Sequence, residues 1–166
     1  MDFFTSQQQP IETAGSHGIG VFEASYDTIK TAFGNACGGD GYKTQVEWAI
    51  QFEDGTIATI YDWKEGDQYN GEGQGTHFSK VTEWHIGGFN QMAEDRVLEV
   101  LASIKAMVDA GTPLEDIPPR VFYADRKKEA LRQKLIDLDV EIEELQEQRK
   151  ALEDQYYSME GEASYE

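Results

Sequence analysis

Tyr42–Phe89, YKTQVEWAIQFEDGTIATIYDWKEGDQYNGEGQGTHFSKVTEWHIGGF, is the stretch whose reading decides the fold. Val46, Trp48, Ile50 and Phe52 alternate with Glu47, Ala49 and Gln51, the period of a half-buried strand. Asp54-Gly55 is a preferred two-residue hairpin turn, because Asp and Gly tolerate the positive φ that a type I′ turn requires. Ile57, Thr59, Tyr61 and Trp63 continue on the partner strand. A two-residue turn predicts the register: Phe52 against Ile57, Ile50 against Thr59, Trp48 against Tyr61 and Val46 against Trp63.

The same register sets Glu47 opposite Asp62 on the other face. Like charges directly opposite destabilise a sheet unless they splay into solvent, screened here by Lys64 or Lys43, or hold a cation between them. The solvated arrangement is the preferred account. After the glycine-rich loop 66–75, placed where binding loops usually sit, Val81 and Glu83–Ile86 read as a third strand stopped by Gly87-Gly88. Trp84 and Ile86 then share one face and Glu83 and His85 the other, so His85 can approach Glu47 and Asp62. A metal-dependent enzyme built on those three residues is the weakest reading, because no fixed ligand spacing supports it.

Working outward, residues 1–18 form a flexible polar lead-in with a QQQP run, and Gly18–Ala24 suits a short edge strand. Ser25 is the expected N-cap of a helix over Tyr26–Phe33 that ends at Gly34. Residues 34–41 hold four glycines and no GK[ST], so a connector is expected rather than a phosphate cradle. Asn90 caps a helix over 91–110, where Val97, Leu98, Leu101, Ile104 and Val108 recur at helical spacing and Gly111 is the stop. The expected class is α+β over 19–117: a small antiparallel sheet, with its hairpin at 43–64 and a further strand at 80–86, packed by helices.

Pro118-Pro119 marks a boundary. Over 120–158, Leu131, Leu135, Leu138, Ile142, Leu145, Arg149, Leu152 and Tyr156 fall on alternating steps of four and three, a heptad seam expected to form a coiled coil. Residues 120–134 hold six basic and two acidic side chains, whereas 135–166 hold two basic and eleven acidic ones. Basic-first order opposes the helix macrodipole. An antiparallel pairing lays the basic stretch on the acidic one, so an antiparallel homo-oligomer is expected. Residues 159–166 are expected to fray.

The net charge is -18, with 32 acidic against 14 basic residues. Phosphate contacts need Lys and Arg, so direct nucleic-acid binding is not expected, nor is an anionic membrane surface. The lone Cys37 precludes an internal disulfide, and neither a signal peptide nor a membrane span is read, so a cytoplasmic protein without cofactor or metal is expected. No nucleophile lies in a recognisable catalytic setting, and no enzyme activity is expected.

The pattern YK-x-x-x-EW-x-I-x-F-x-DGT-x-ATIYDWK followed by WHIGG, over Tyr42–Lys64 and Trp84–Gly88, with SYDTIKTAFG at Ser25–Gly34, resembles small bacteriophage-encoded proteins of unassigned function. At the level of architecture the chain is also similar to phage Thoeris anti-defence sponge proteins, which join an antiparallel sheet to C-terminal helices and capture nucleotide signals in oligomer interfaces. Those resemblances imply a non-enzymatic, oligomeric anti-defence protein in the host cytoplasm that captures a nucleotide signal or a host protein. Trp84, His85, Phe89, Asn90 and Arg120 are the ligand contacts they imply. An acidic DNA mimic blocking a host nuclease or a CRISPR or restriction complex is the alternative, and a phage structural or accessory protein is a further one.

Overall fold

A computed structural model describes residues 2–118 and 123–163. The fold is α+β, as the alternation and spacing predict. Strands β1 (Phe3–Thr5), β2 (His17–Glu23), β3 (Cys37–Gly38), β4 (Val46–Phe52), β5 (Ile57–Tyr61) and β6 (Glu83–Gly88) form one antiparallel sheet. Its order is β1-β4-β5-β6-β2, with β3 also pairing β4. Helices α1 (Tyr26–Phe33) and α3 (Met92–Asp109) pack against it, and α2 (Asp67–Asn70) is a single turn.

The caps follow the sequence closely. Ser25 Oγ accepts from Thr28 N (3.1 Å) at the start of α1, and Gly34 ends that helix with a positive φ of 82°. Asn90 Oδ1 accepts from Met92 N (3.0 Å) ahead of α3. Helix α3 buries Ala93, Val97, Val100, Leu101 and Ile104, whereas Leu98 and Val108 stay exposed, so the buried stripe is rotated slightly from the expected one.

The inner face of the sheet is an aromatic and branched layer. Trp48, Ile50, Phe52, Ile60, Trp84 and Ile86 are buried against Ile29, Phe33 and the α3 stripe. The Trp48 and Trp84 rings meet edge to face at 5.5 Å, and Tyr26 lies 5.6 Å from the first. Both indole N–H groups are satisfied, Trp48 Nε1 donating to Gly34 O (2.9 Å) and Trp84 Nε1 to Ala24 O (3.0 Å). That is how a large polar-edged ring is tolerated in a core.

Two expectations are overturned. The stretch expected as a flexible lead-in contains a strand: Phe3–Thr5 pairs with β4, Phe3 facing Phe52, and Phe3 is 2% exposed in the core. Its ring lies 5.2 Å from Phe33 and 5.8 Å from Phe52, so apolar burial decides what local polarity could not. The hairpin register is also shifted by one residue. Glu47 pairs Tyr61, Trp48 pairs Ile60, Ile50 pairs Ala58 and Gln51 pairs Ile57.

The cause of the shift is the turn. Phe52 N donates to Thr56 O, so Glu53, Asp54 and Gly55 form a three-residue connection, with Gly55 at φ 86°. A three-residue loop ending in a left-handed glycine is the next most common hairpin solution after the two-residue turn. One residue of slip sends every side chain on β5 to the other face. Ala58, Ile60 and Asp62 therefore point inward, and Thr59 and Tyr61 outward. The loops are also more ordered than expected: Thr76 N closes 66–75 on Glu65 O, and Gly75 N donates to Asp67 Oδ1 (2.7 Å). Strand β6 runs through Gly87-Gly88 instead of stopping there.

From Asp125 the chain is a separate unit. Helix α4 (Tyr123–Ala163) has 41 residues, a length of about 60 Å at 1.5 Å rise per residue. It extends to within the stretch 159–166 expected to fray. Leu131, Leu135, Leu138, Ile142, Leu145 and Leu152 are all exposed, from 45% at Leu138 to 66% at Leu152. The seam is thus a continuous uncovered stripe on a single helix.

Candidate functional site

The slipped register separates the carboxylates that the sequence places together. Asp62 is fully buried on the inner side and caps the start of β4: its Oδ1 accepts from Gln45 N (2.8 Å) and Val46 N (3.0 Å), and its Oδ2 accepts from Gln45 Nε2 (2.7 Å). Gln45 Nε2 also donates to Thr76 O (2.9 Å), tying the 66–75 loop to the same point. This is a structural carboxyl group, held in place by three hydrogen bonds. Glu47 lies on the opposite face, so the Glu47–Asp62–His85 cation cluster does not form. Among the described residues no group of three or more His, Cys, Asp and Glu side chains could hold a metal.

What does form is a row across the outer face. Cys37, Glu47, Tyr61, His85 and Val21 stand directly opposite one another through β3, β4, β5, β6 and β2. Beside it runs a second row, Ala49, Thr59, Gly87 and Gly18. Strands β1 and β2 occupy opposite edges, so the chain between Ser6 and Ser16 must cross the sheet. Its end closes one side of a cleft of about 310 Å³ lined by Ser16, His17, Asp40, Glu47, Tyr61 and Trp63, with Thr44, Thr59, Gly18 and Gly87 completing it.

The two glycines keep this recess open. A Cβ on Gly87 would stand 2.5 Å from Thr59 Oγ1, and one on Gly18 would touch the Tyr61 hydroxyl at 3.6 Å. Tyr61 is the wall: its ring stacks on His85 at 5.9 Å with an interplanar angle of 14° and meets Trp63 edge-on at 5.9 Å. Lys43 Nζ sits 5.1 Å from the Trp63 ring centroid and Lys64 Nζ 5.4 Å from it, so the indole already attracts cations.

The electrostatics of the cleft are lopsided. Asp40 Oδ1 accepts from Thr44 N (2.9 Å), Tyr42 N (2.9 Å) and Lys43 N (2.7 Å). Led by the Thr44 bond, these donors hold the Asp40 carboxyl below its ordinary value, so it stays charged. Burial first, and then the Asp40 charge, push Glu47 above its ordinary value. Burial and the Glu47 charge likewise raise Tyr61. No hydrogen bond or ion pair to the Glu47 carboxylate occurs among the described residues. Among the described residues the half-buried Glu47 carboxyl group has no partner to offset its charge when ionised.

The residues that sequence reasoning nominated are scattered. Trp84 is fully buried and its N–H is bonded, so it cannot stack on a ligand. His85 points to the opposite face, behind Tyr61. Phe89 is 43% exposed, beside Gly15 on the crossing segment, and Asn90 accepts from Met92 N one residue ahead of Gln91, the N-cap of α3. Arg120 lies outside the described residues. The residues missed were Tyr61, Trp63, Asp40 and His17. The signal for the first was parity: with Gly55 counted as a bulge residue, Tyr61 falls on the Glu47 face.

Comparison with known proteins finds no matching family model, no similar curated protein and no similar solved structure. The outer cleft and the uncovered α4 seam therefore carry the functional reading by themselves.

Proposed function

We propose that this chain is a non-enzymatic, oligomeric binding protein of bacteriophage type, working in the host cytoplasm against host defence by capturing a ligand or a host protein. The observation that carries it is the cleft on the outer face, a preformed recess whose central carboxylate has no partner within the described chain. Concave, aromatic-walled recesses with a few polar groups are the usual form of a ligand site. The side chains a nucleophilic mechanism would use support binding over chemistry. Cys37 Sγ lies 3.3 Å from Ser6 Oγ, and His77 Nδ1 closes its own turn, meeting Ser79 Oγ (2.8 Å) and Ser79 N.

Oligomerisation is the second half of the reading. An isolated helix is marginal in water unless an apolar face packs, and the α4 seam is exposed along its length. A second copy running antiparallel sets the basic stretch 120–134 on the acidic stretch 135–166 and covers Leu131, Leu135, Leu138, Ile142, Leu145 and Leu152. Native mass spectrometry of the full chain purified from expressing cells tests both halves. The expected result is a multiple of 18.7 kDa that carries additional bound mass. A bare monomer at micromolar concentration overturns the reading.

One observation favours a second reading. Asp137, Glu141 and Glu144 follow one another at helical spacing on α4, which is exposed there, the arrangement an acidic ridge takes on a mimic of nucleic acid. A host nuclease whose DNA binding is competed by this protein, with loss of competition on neutralising those three residues, would select it.

A further inference from the structure

We infer that the outer cleft is a receptor for a guanidinium group: the planar cation sits between the Glu47 carboxylate and the Tyr61–Trp63 wall, with Asp40 at the rim. The inference rests on the capture reading above and names the chemistry of its site. Three observations carry it. The cleft holds two carboxylates, and neither Lys43 nor Lys64 pairs with them among the described residues. An anionic ligand would meet Glu47 and Asp40 head-on, which disfavours a nucleotide phosphate here. The aromatic wall already draws two ammonium groups to Trp63.

The choice among cations follows from the geometry of the acceptors. A bare metal ion needs several ligands converging on one point, and the described residues offer no such group. Here the acceptors are spread around the recess: the carboxylates of Glu47 and Asp40, Thr59 Oγ1, and the hydroxyls of Tyr61 and Ser16. A guanidinium carries five N–H donors in a rigid plane, so it can serve separated acceptors while its flat face lies on an aromatic ring. A point-like ammonium offers three donors and no face to stack. At about 310 Å³ the recess admits the head group and part of an alkyl stem. Gly18 and Gly87 leave the space in which the plane lies.

Such a group reaches the cleft either on a free small molecule or on an arginine side chain of a basic protein, which the overall charge of -18 would attract. Isothermal titration calorimetry of the full-length protein at pH 7 separates the cases. Butylguanidinium is expected to bind, and butylammonium about tenfold or more weakly, since it loses at least one charge-assisted hydrogen bond. Glu47→Gln should weaken butylguanidinium by about tenfold or more, while Gly18→Val should plug the recess without removing any acceptor. The indole N–H resonance of Trp63 reports the site directly, because Trp48 and Trp84 are buried on the other face. A blocked Gly-Arg-Gly peptide binding at least tenfold tighter than butylguanidinium assigns the source to a protein partner, and equal affinity assigns it to a small molecule.

No binding by wild type, or equal binding by a folded Glu47→Gln variant, overturns the inference. Butylammonium binding as tightly as butylguanidinium removes the guanidinium class. Adenosine monophosphate binding in the cleft overturns the cationic class and leaves the capture reading standing. A monomer that carries bound mass in the native mass experiment removes the oligomeric half of the reading without touching these titrations.

Discussion

Asp62 should be among the most costly polar positions in the sheet, although it takes no part in the outer cleft. Replacing it with Ala removes the acceptor for Gln45 N, Val46 N and Gln45 Nε2 at once. A buried donor left unpaired costs about 1–3 kcal/mol. Val46 is buried and Gln45 only partly so, and Gln45 Nε2 retains Thr76 O, so the two backbone donors dominate. The expected loss is about 3–4 kcal/mol. Asp62→Asn is milder: one oxygen keeps both backbone bonds, while its new N–H₂ faces the Gln45 amide donor, for about 1–2 kcal/mol. Urea unfolding followed by tryptophan fluorescence measures both, with the m-value unchanged if the folded state is otherwise intact. Adding Gln45→Ala to Asp62→Asn should recover part of the loss, a coupling that a double-mutant cycle isolates. An Asp62→Ala variant that loses less than about 1 kcal/mol, or an Asn variant as costly as Ala, refutes the capping role and with it the slipped register.

Three further outcomes follow from the same structure. Glu47→Gln should stabilise the protein at neutral pH: a raised carboxyl binds its proton more tightly when folded, so wild-type stability falls as pH rises above the ordinary value of 4.5 and stays lower beyond the folded value. Burial sets this first and the Asp40 charge second, with Tyr61, His17 and His85 the other titratable groups facing Glu47; thermal melts from pH 4 to 8 should show the variant's advantage vanish at the acid end. Phe3→Ala should cost about 3–5 kcal/mol by urea unfolding, as for other buried aromatics, and Phe4→Ala on the outer face clearly less. Gly55→Ala forces a side chain into positive φ and should cost about 1–2 kcal/mol, with no effect on ligand titrations because the turn lies away from the cleft.

Much of the fold was legible because its signals are local. The alternation over Val46–Phe52, the Ser25 cap, the Gly34 and Gly111 stops and the α3 stripe each depend on neighbours a few residues away. Strand β1 was hidden for the opposite reason: three residues in a polar setting become a strand only because β4, far along the chain, offers an edge and a hydrophobic slot for Phe3. The register failed at Asp54-Gly55, a pair that serves both two- and three-residue hairpins. Size misled as well, since Thr59, Tyr61 and Trp63 look more core-like than Ala58, Ile60 and Asp62. The cleft inherits that error. Once Tyr61 turns outward, the aromatic wall, the isolated Glu47 and the burial of Asp62 follow together.

The placement of β1 and β2 at the two margins of the sheet has a consequence for synthesis on the ribosome. The first 23 residues contain both margins, yet β1 must wait for β4 and β2 for β6, whose last residue is Gly88. The amino-terminal segment therefore leaves the exit tunnel as an unpartnered tether. The Trp48 hairpin assembles behind it, and the two ends are then zipped on from opposite sides. A translational pause before Gly88 would hold two unfilled sheet edges in the open, the state in which strands of neighbouring nascent chains pair with each other instead.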